Sequence, residues 1–349
     1  MKRNRLLGIM LILAAFSGVL CSGIIIVTGI RQGSSAHASS PLREKYPQPY
    51  TLEKTKLENF SSASICLDYA DISILPADDF YLEYRLDGTC QEPDYGVRDG
   101  VFHFREGSAQ RQYTISFNLF GNPVNREPFY LNLYVPADQY FELLTMSVES
   151  GNVKLEQISA KEADVTLEYG DLTLEEFSGT TLNISSESGN TEAKIIICDD
   201  LTVSASYGDF TGGTISVSGS SIFDLESGNL EISSLTAGIF SAENAYGNCD
   251  VEHITAERLT CSLESGNLTL KDAAPKQAEV NMEYGDVTLR LADTVSDYSY
   301  DLETEYGDLN IDGTQIEPDE DGTVLYRKQN GGKKKSIQIH CESGSVTIR

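Results

Sequence analysis

The feature that most limits how this chain can fold is a four-residue signature that returns at almost constant spacing. It reads Glu149-Ser150-Gly151-Asn152, Glu168-Tyr169-Gly170-Asp171, Glu187-Ser188-Gly189-Asn190, Ser206-Tyr207-Gly208-Asp209 and Glu226-Ser227-Gly228-Asn229. It continues as Ala245-Tyr246-Gly247-Asn248, Glu264-Ser265-Gly266-Asn267, Glu283-Tyr284-Gly285-Asp286, Glu305-Tyr306-Gly307-Asp308 and Glu342-Ser343-Gly344-Ser345. Successive glycines stand 19, 19, 19, 20, 19, 19, 19, 22 and 37 residues apart, the last gap covering about two steps. Short alternating runs flank each signature, such as Val165-Thr166-Leu167 and Leu172-Thr173-Leu174. Alternation with β-branched residues marks strands with one buried face. One such unit cannot bury its apolar side alone, whereas stacked units add hydrogen-bonded rungs about 4.8 Å apart. The reading is all-β: a β-solenoid of about ten 19-residue coils. An antiparallel β-sandwich also supplies strands at this spacing, but it has no need of the same tetrad at the same phase.

Each signature glycine is expected at a bend with positive φ, beside an Asn or Asp that tolerates a turn. The bend positions are Gly151, Gly170, Gly189, Gly208, Gly228, Gly247, Gly266, Gly285, Gly307 and Gly344. Residues 61–148 read as an N-terminal β region with a first coil, in which Leu67–Ser73 resembles a tetrad carrying Ala70 in place of glycine. Further strands are expected at Tyr81–Leu86, Val101–Phe104, Tyr113–Phe117 and Phe129–Val135, with turns at Asp87-Gly88, Asp99-Gly100 and Gly121–Pro123. Residues 149–349 form the repeat solenoid. At its end Thr323–Arg327 and Ser336–His340 flank Asn330-Gly331-Gly332, a hairpin signal whose lysines suit an edge cap.

The N-terminus has a different character. Lys2, Arg3 and Arg5 precede Leu6–Ile30, a stretch of 25 residues without a charge. As a helix it is long enough to cross a bilayer, and the basic cluster places residues 1–5 in the cytoplasm and the rest outside. Residues 1–31 are therefore read as a basic tip and a single-pass transmembrane helix, and 32–60 as a tether rich in Ser, Pro and mixed charge. Secretion after signal cleavage near Ala38 is the alternative, since Ala36-His37-Ala38 fits the small-residue cleavage pattern.

The tetrads, the Ala70–Pro76 opening, the Leu131–Pro136 strand leading into Ala137-Asp138, and the Gly-rich segment before Ser343-Gly344 together resemble one family. It is the bacterial putative-adhesin family, also called the domain of unknown function 4097 family. The resemblance covers about residues 60–349. It implies a β-solenoid attached to a membrane, in Gram-positive bacteria as a rule, sometimes beside envelope-stress regulators. It brings no catalytic residues.

Composition narrows the function. The formal charge is −27, from 26 basic and 53 acidic residues, which opposes binding to nucleic acid. The four histidines share no metal-ligand spacing, and no cofactor is expected. Glu stands two before the glycine in eight of ten tetrads, so stacking places like charges about 5 Å apart. Glu149, Glu168 and Glu187 are accordingly candidates for Ca²⁺, against the plainer reading of carboxylates splayed into water. Tyr169, Tyr207, Tyr246, Tyr284 and Tyr306 form a ribbon that either contacts a ligand or stiffens the stack. Among the cysteines, alternation puts Cys249, Cys261 and Cys341 inside and leaves Cys66, Cys90 and Cys198 more exposed.

The leading functional reading is a non-enzymatic, membrane-anchored extracellular rod that binds a cell-wall polymer, a glycan or an envelope protein. The alternative is an envelope-stress regulator, which needs a membrane partner because its cytoplasmic tip is so short. A β-helix carbohydrate-active enzyme ranks last, because the uniform coils from Gly151 to Gly285 leave no loops to wall a cleft.

Overall fold

The computed structural model describes residues 48–106, 127–331 and 335–349, which fall within one compact unit, Pro47–Arg349. The apolar segment Leu6–Ile30, most of the tether, the strand expected at Tyr113–Phe117 and the turn at Gly121–Pro123 lie outside the described residues. Among the described residues no helix is long and apolar enough to cross a membrane. Their one helical element is a 3₁₀ turn, Val295–Asp297.

Consecutive coils pair in parallel and in register. Val153–Tyr169 lies on Leu172–Ser188, from Val153 against Leu172 to Tyr169 against Ser188. The same offset carries Leu230–Tyr246 onto Cys249–Ser265 and that strand onto Leu268–Tyr284. Parallel stacking of this kind excludes the sandwich. Within the coil that starts at Val153, the inward residues are Val153 and Leu155, then Ile158 and Ala160, then Ala163, Val165 and Leu167. The step between inward residues is two along each run and three at the two breaks. Alternation is thus reset twice, and with the glycine bend this turns the chain around its own core. Phe177, Phe210, Phe223 and Phe240 fill the centre, with the Phe210 and Phe223 rings 5.1 Å apart. The 20-residue step from Gly208 to Gly228 is absorbed as an irregularity between Val217 and Ser220.

Both ends depart from the sequence reading. The expected hairpin between Thr323–Arg327 and Ser336–His340 does not form. Lys335–Ser343 instead runs parallel to Leu268–Tyr284 on one side and to Tyr298–Tyr306 on the other. Val346–Ile348 likewise lies between Val287–Leu291 and Leu309–Ile311. The last coil of the chain is therefore the penultimate rung of the stack. The outermost rung, which carries Gly307, is closed by antiparallel strands: Val324–Lys328 on Tyr298–Tyr306, and Thr314–Ile316 on Leu309–Ile311. The 37-residue gap is thus the path out over the cap and back, not a missing motif.

The N-terminal end repeats this plan with the chain direction reversed. Ser62–Tyr69 is held between Val101–Arg105 and Leu143–Ser150, and Asp71–Ala77 between Tyr130–Pro136 and Val153–Tyr169. Asp94–Arg98 and Tyr81–Leu86 then cover the outer rung antiparallel. Asp99 (φ 52°) and Gly100 (φ 76°) make the expected turn of the first of these hairpins, the two positive φ values that a two-residue strand connection favours. The tether reading of 32–60 is corrected at its far end. Tyr50–Lys56 is a strand paired antiparallel with Tyr81–Leu86, and Phe60 is buried against Phe80 and Phe102. Mixed charge hid this strand, because it is an edge with only Tyr50 and Leu52 turned toward the core.

Candidate functional site

The signature lines one edge of the stack. Positive φ holds at every signature glycine except Gly307, from 134° at Gly189 to 153° at Gly151. A second constraint is close approach: a Cβ on Gly208 would sit 2.0 Å from the carbonyl oxygen of Gly189, and one on Gly307 2.0 Å from that of Gly344. Glycine is therefore needed at Gly307 as well, for a reason other than the expected φ.

The residue after each glycine explains the Asn and Asp. Its side chain accepts the backbone N–H of its counterpart one rung further on. The Asp171 N–H donates to Asn152 Oδ1 (3.0 Å), Asn190 N–H to Asp171 Oδ1 (2.8 Å) and Asp209 N–H to Asn190 Oδ1 (3.0 Å). At the inserted coil the ladder survives, since the Ser345 N–H donates to Asp286 Oδ1 (2.8 Å). At a bend the chain leaves the strand ladder, and this relay satisfies an N–H that would otherwise lack a protein partner.

The residue before each glycine forms the most exposed feature of the edge. Tyr169, Tyr207, Tyr246, Tyr284 and Tyr306 are 55%, 62%, 62%, 60% and 75% exposed. In chain order the Ser and Tyr alternation fails at the end, where Tyr306 follows Tyr284. In space it does not fail. Ser343 pairs with Tyr284 on one side and Tyr306 on the other. At the opposite end Ser150 stands between Tyr169 and Tyr69, a residue the sequence reading left out of the ribbon and which is 54% exposed. Its signal was the tetrad Asp68-Tyr69-Ala70-Asp71, which the sequence reading recognised as a coil with alanine in place of glycine without carrying its tyrosine into the ribbon. Six tyrosines thus occupy every second rung, ~9.6 Å apart. Between Tyr69 and Tyr169, over Ser150, lies a cleft of about 560 Å³ also lined by Asp71 and Phe129.

The carboxylates that directly follow the bend follow the same period. Rungs bearing Tyr69, Tyr169, Tyr207, Tyr284 and Tyr306 carry Asp71, Asp171, Asp209, Asp286 and Asp308, all exposed, with Asn248 the exception beside Tyr246. Serine rungs carry Asn152, Asn190, Asn229 and Asn267. Glu149, Glu168 and Glu187 stack with exposed side chains on consecutive rungs. Partial burial, together with the Glu149 and Glu187 carboxylates, pushes Glu168 above the usual carboxylate range. Among the described residues no three His, Cys, Asp or Glu side chains converge as a metal-holding group, and the three glutamates stand one above another as a charged column. Cys249, Cys261 and Cys341 are buried as alternation requires. Cys198, expected outside, is buried too, because it pairs with Val217 at a corner that turns it inward, and burial pushes its thiol up to about 12.

The parallel, in-register rungs and the glycine bend on each coil define an all-β repeat protein whose fold fits a β-solenoid. The chain belongs to the Toastrack DUF4097 family, whose profile matches residues 63–194 and 180–349. Among solved structures it is similar to a putative adhesin from Parabacteroides distasonis, at 11% identity over 87% of this chain and 98% of that one, with a TM-score of 0.45. It is also similar to a putative lipid binding protein from the same organism (15%, 86% and 97%, TM-score 0.40). A third likeness is to a putative adhesin from Bacteroides fragilis (12%, 86% and 97%, TM-score 0.34). No curated protein matches the chain.

Proposed function

We propose that this chain is a non-enzymatic binding protein of the cell envelope, anchored through Leu6–Ile30 with its β-solenoid outside the cell. The observation that carries the reading is the row of six tyrosines. All six keep more than half of their surface exposed, at identical positions beside the bend, where each pairs with the serine of the neighbouring rung. An exposed row of amphipathic rings on a rigid support is a contact surface, because each ring offers apolar area and a phenol hydrogen bond at little entropic cost. Coils of 19 or 20 residues from Gly151 to Gly285, without long loops, favour a flat contact over a walled catalytic cleft.

The test is co-sedimentation of the full chain with isolated cell envelopes, alongside protease treatment of intact cells. The expected outcome is binding that drops when Tyr207 and Tyr246 are both changed to Ala, and digestion of the region beyond residue 47 from outside. Full protection of that region in cells without an outer membrane would overturn the external placement. Envelope binding indifferent to both tyrosines would overturn the edge.

A further inference from the structure

The edge reads as a ruler, and its period identifies what it measures. The geometry points to a linear β-1,4-linked amino sugar polymer, lying along the stack with one disaccharide over each Tyr-to-Tyr step and free amino groups facing the aspartates. This deepens the reading of the edge as a binding surface and rests on it.

Three observations converge. The first is the spacing. Tyrosines stand two rungs apart, ~9.6 Å, and the run from Tyr69 to Tyr306 covers ~48 Å. A β-1,4-linked pyranose chain is a flat ribbon with two sugars per repeat, so it presents the same C–H face once per disaccharide, a length of the same order. A sugar over each Tyr rung and the next over each Ser rung brings every second C–H face onto a ring, and the serine rung leaves room beneath the intervening sugar. The cleft between Tyr69 and Tyr169 over Ser150 is one such step already open.

The second observation is that the alternation is kept in space where the chain order breaks it. Coil stacking alone accepts either residue before the glycine, since Ser and Tyr rungs share the same backbone bend and the same ladder. At the C-terminal end the inserted coil carries serine, Ser343, where tyrosine would have put three rings on consecutive rungs. At the N-terminal end Tyr69 falls in phase two rungs from Tyr169. The coil inserted out of chain order at one end and the long excursion between Tyr69 and Ser150 at the other both preserve the two-rung phase.

The third is charge. In the position after the glycine, Asp accompanies Tyr on five of the six rungs, while four of the five serine rungs carry Asn and the fifth carries Ser345, so the carboxylates of this column recur with the rings, beside a glutamate column that runs through serine and tyrosine rungs alike. One oxygen of each of Asp71, Asp171, Asp209 and Asp286 is held by the N–H of the next rung, which fixes the carboxylate in place. Asn performs that structural task equally well on the serine rungs, as Asn152 and Asn190 show. The negative charge on tyrosine rungs is therefore additional to the fold. It suits an amine and repels uronate or phosphate polymers.

The experiment titrates the full chain, in detergent micelles, with a β-1,4-linked glucosamine hexamer, its fully N-acetylated counterpart and an anionic oligogalacturonate. The expected order of affinity is amine, then N-acetyl, with no binding of the anion. Tyr207→Ser combined with Ser227→Tyr keeps composition but breaks the phase, and is expected to raise Kd about tenfold, the equivalent of one lost stacking contact with its hydrogen bond. Asp171→Asn with Asp209→Asn preserves the ladder. It is expected to weaken the amine hexamer while leaving the N-acetylated one unchanged. Since these aspartates are replaced by the residue the fold uses on alternate rungs, this variant remains informative if the phase variant misfolds. No binding of the glucosamine hexamer by the unmodified chain, or equal affinity in the phase and aspartate variants, overturns the assignment. Envelope binding that still depends on Tyr207 and Tyr246, with no glucosamine binding, removes the amino sugar polymer and leaves the binding edge standing.

Discussion

At the scale of the residue, the glycine column shows two physical causes acting on one position. Gly208 has φ 136°, a region from which a side chain is nearly barred, and its missing Cβ makes room for the carbonyl oxygen of Gly189 at 2.0 Å. Gly208→Val therefore combines a strained backbone, roughly 1–3 kcal/mol, with a clash against main chain that cannot swing aside, roughly another 1–3 kcal/mol. Denaturant unfolding should show a clear fall in midpoint. An unchanged midpoint would mean the bend relaxes without cost.

At the scale of the element, the inserted C-terminal coil decides how the end of the stack is held. Ile337, Ile339, Cys341, Val346 and Ile348 are each at most 1% exposed, and their strands are the parallel partners of two rungs at once. In a solenoid stacked in chain order, loss of the last coil merely exposes the one before it. Here, removing residues 335–349 leaves Tyr298–Tyr306 a full rung away from Leu268–Tyr284. Hydrogen exchange should show protection lost in Tyr298–Tyr306 and Leu309–Ile311, while coils up to Gly266 keep theirs. Retained protection in Tyr298–Tyr306 would mean that this strand can close the gap. Ile339→Ala alone should cost about 2–5 kcal/mol, as a buried aliphatic truncation does.

At the scale of the whole molecule, the chain has a formal charge of −27 and its repeat stacks like charges. The basic residues answer it locally, through rung-to-rung pairs such as Lys194 with Glu175 (2.6 Å), Lys271 with Glu252 and Lys276 with Glu257. Glu168 has no such relief and sits above its ordinary pKa because of burial and its two glutamate neighbours. A carboxyl raised in the folded state favours folding while protonated, below its unfolded pKa. That advantage is lost as pH rises through the folded value. Glu168→Gln should therefore melt slightly higher than the unmodified chain at pH 7, with the difference closing below about pH 4. Because the charges form a column, CaCl₂ and NaCl at equal ionic strength should raise the melting temperature equally. A selective rise in CaCl₂ would restore the cation site.

Local chemistry alone made the repeat, the strands, the bends and the acidic edge legible. A nineteen-residue period with alternating apolar residues has one economical solution, and Gly followed by Asn or Asp marks the same bend each time. Cys249, Cys261 and Cys341 could be placed inward from alternation, and the Tyr ribbon from its position beside the glycine. What sequence could not show is which coil lies on which. Parallel rungs of one period are interchangeable neighbours, so only the closing of the two ends decides the order. Antiparallel caps cover the outer rungs, and that detour returns Lys335–Ser343 between two coils already formed. The Gly-rich hairpin failed for this reason, since pairing with two parallel neighbours buries more of the strand than pairing with one. Tertiary structure likewise turned Cys198 inward, drew Tyr50–Lys56 out of the tether and brought Tyr69 and Ser343 into phase. Period and alternation determined the rungs from Gly151 to Gly285, and the burial of the open ends determined where the strands beyond them lie.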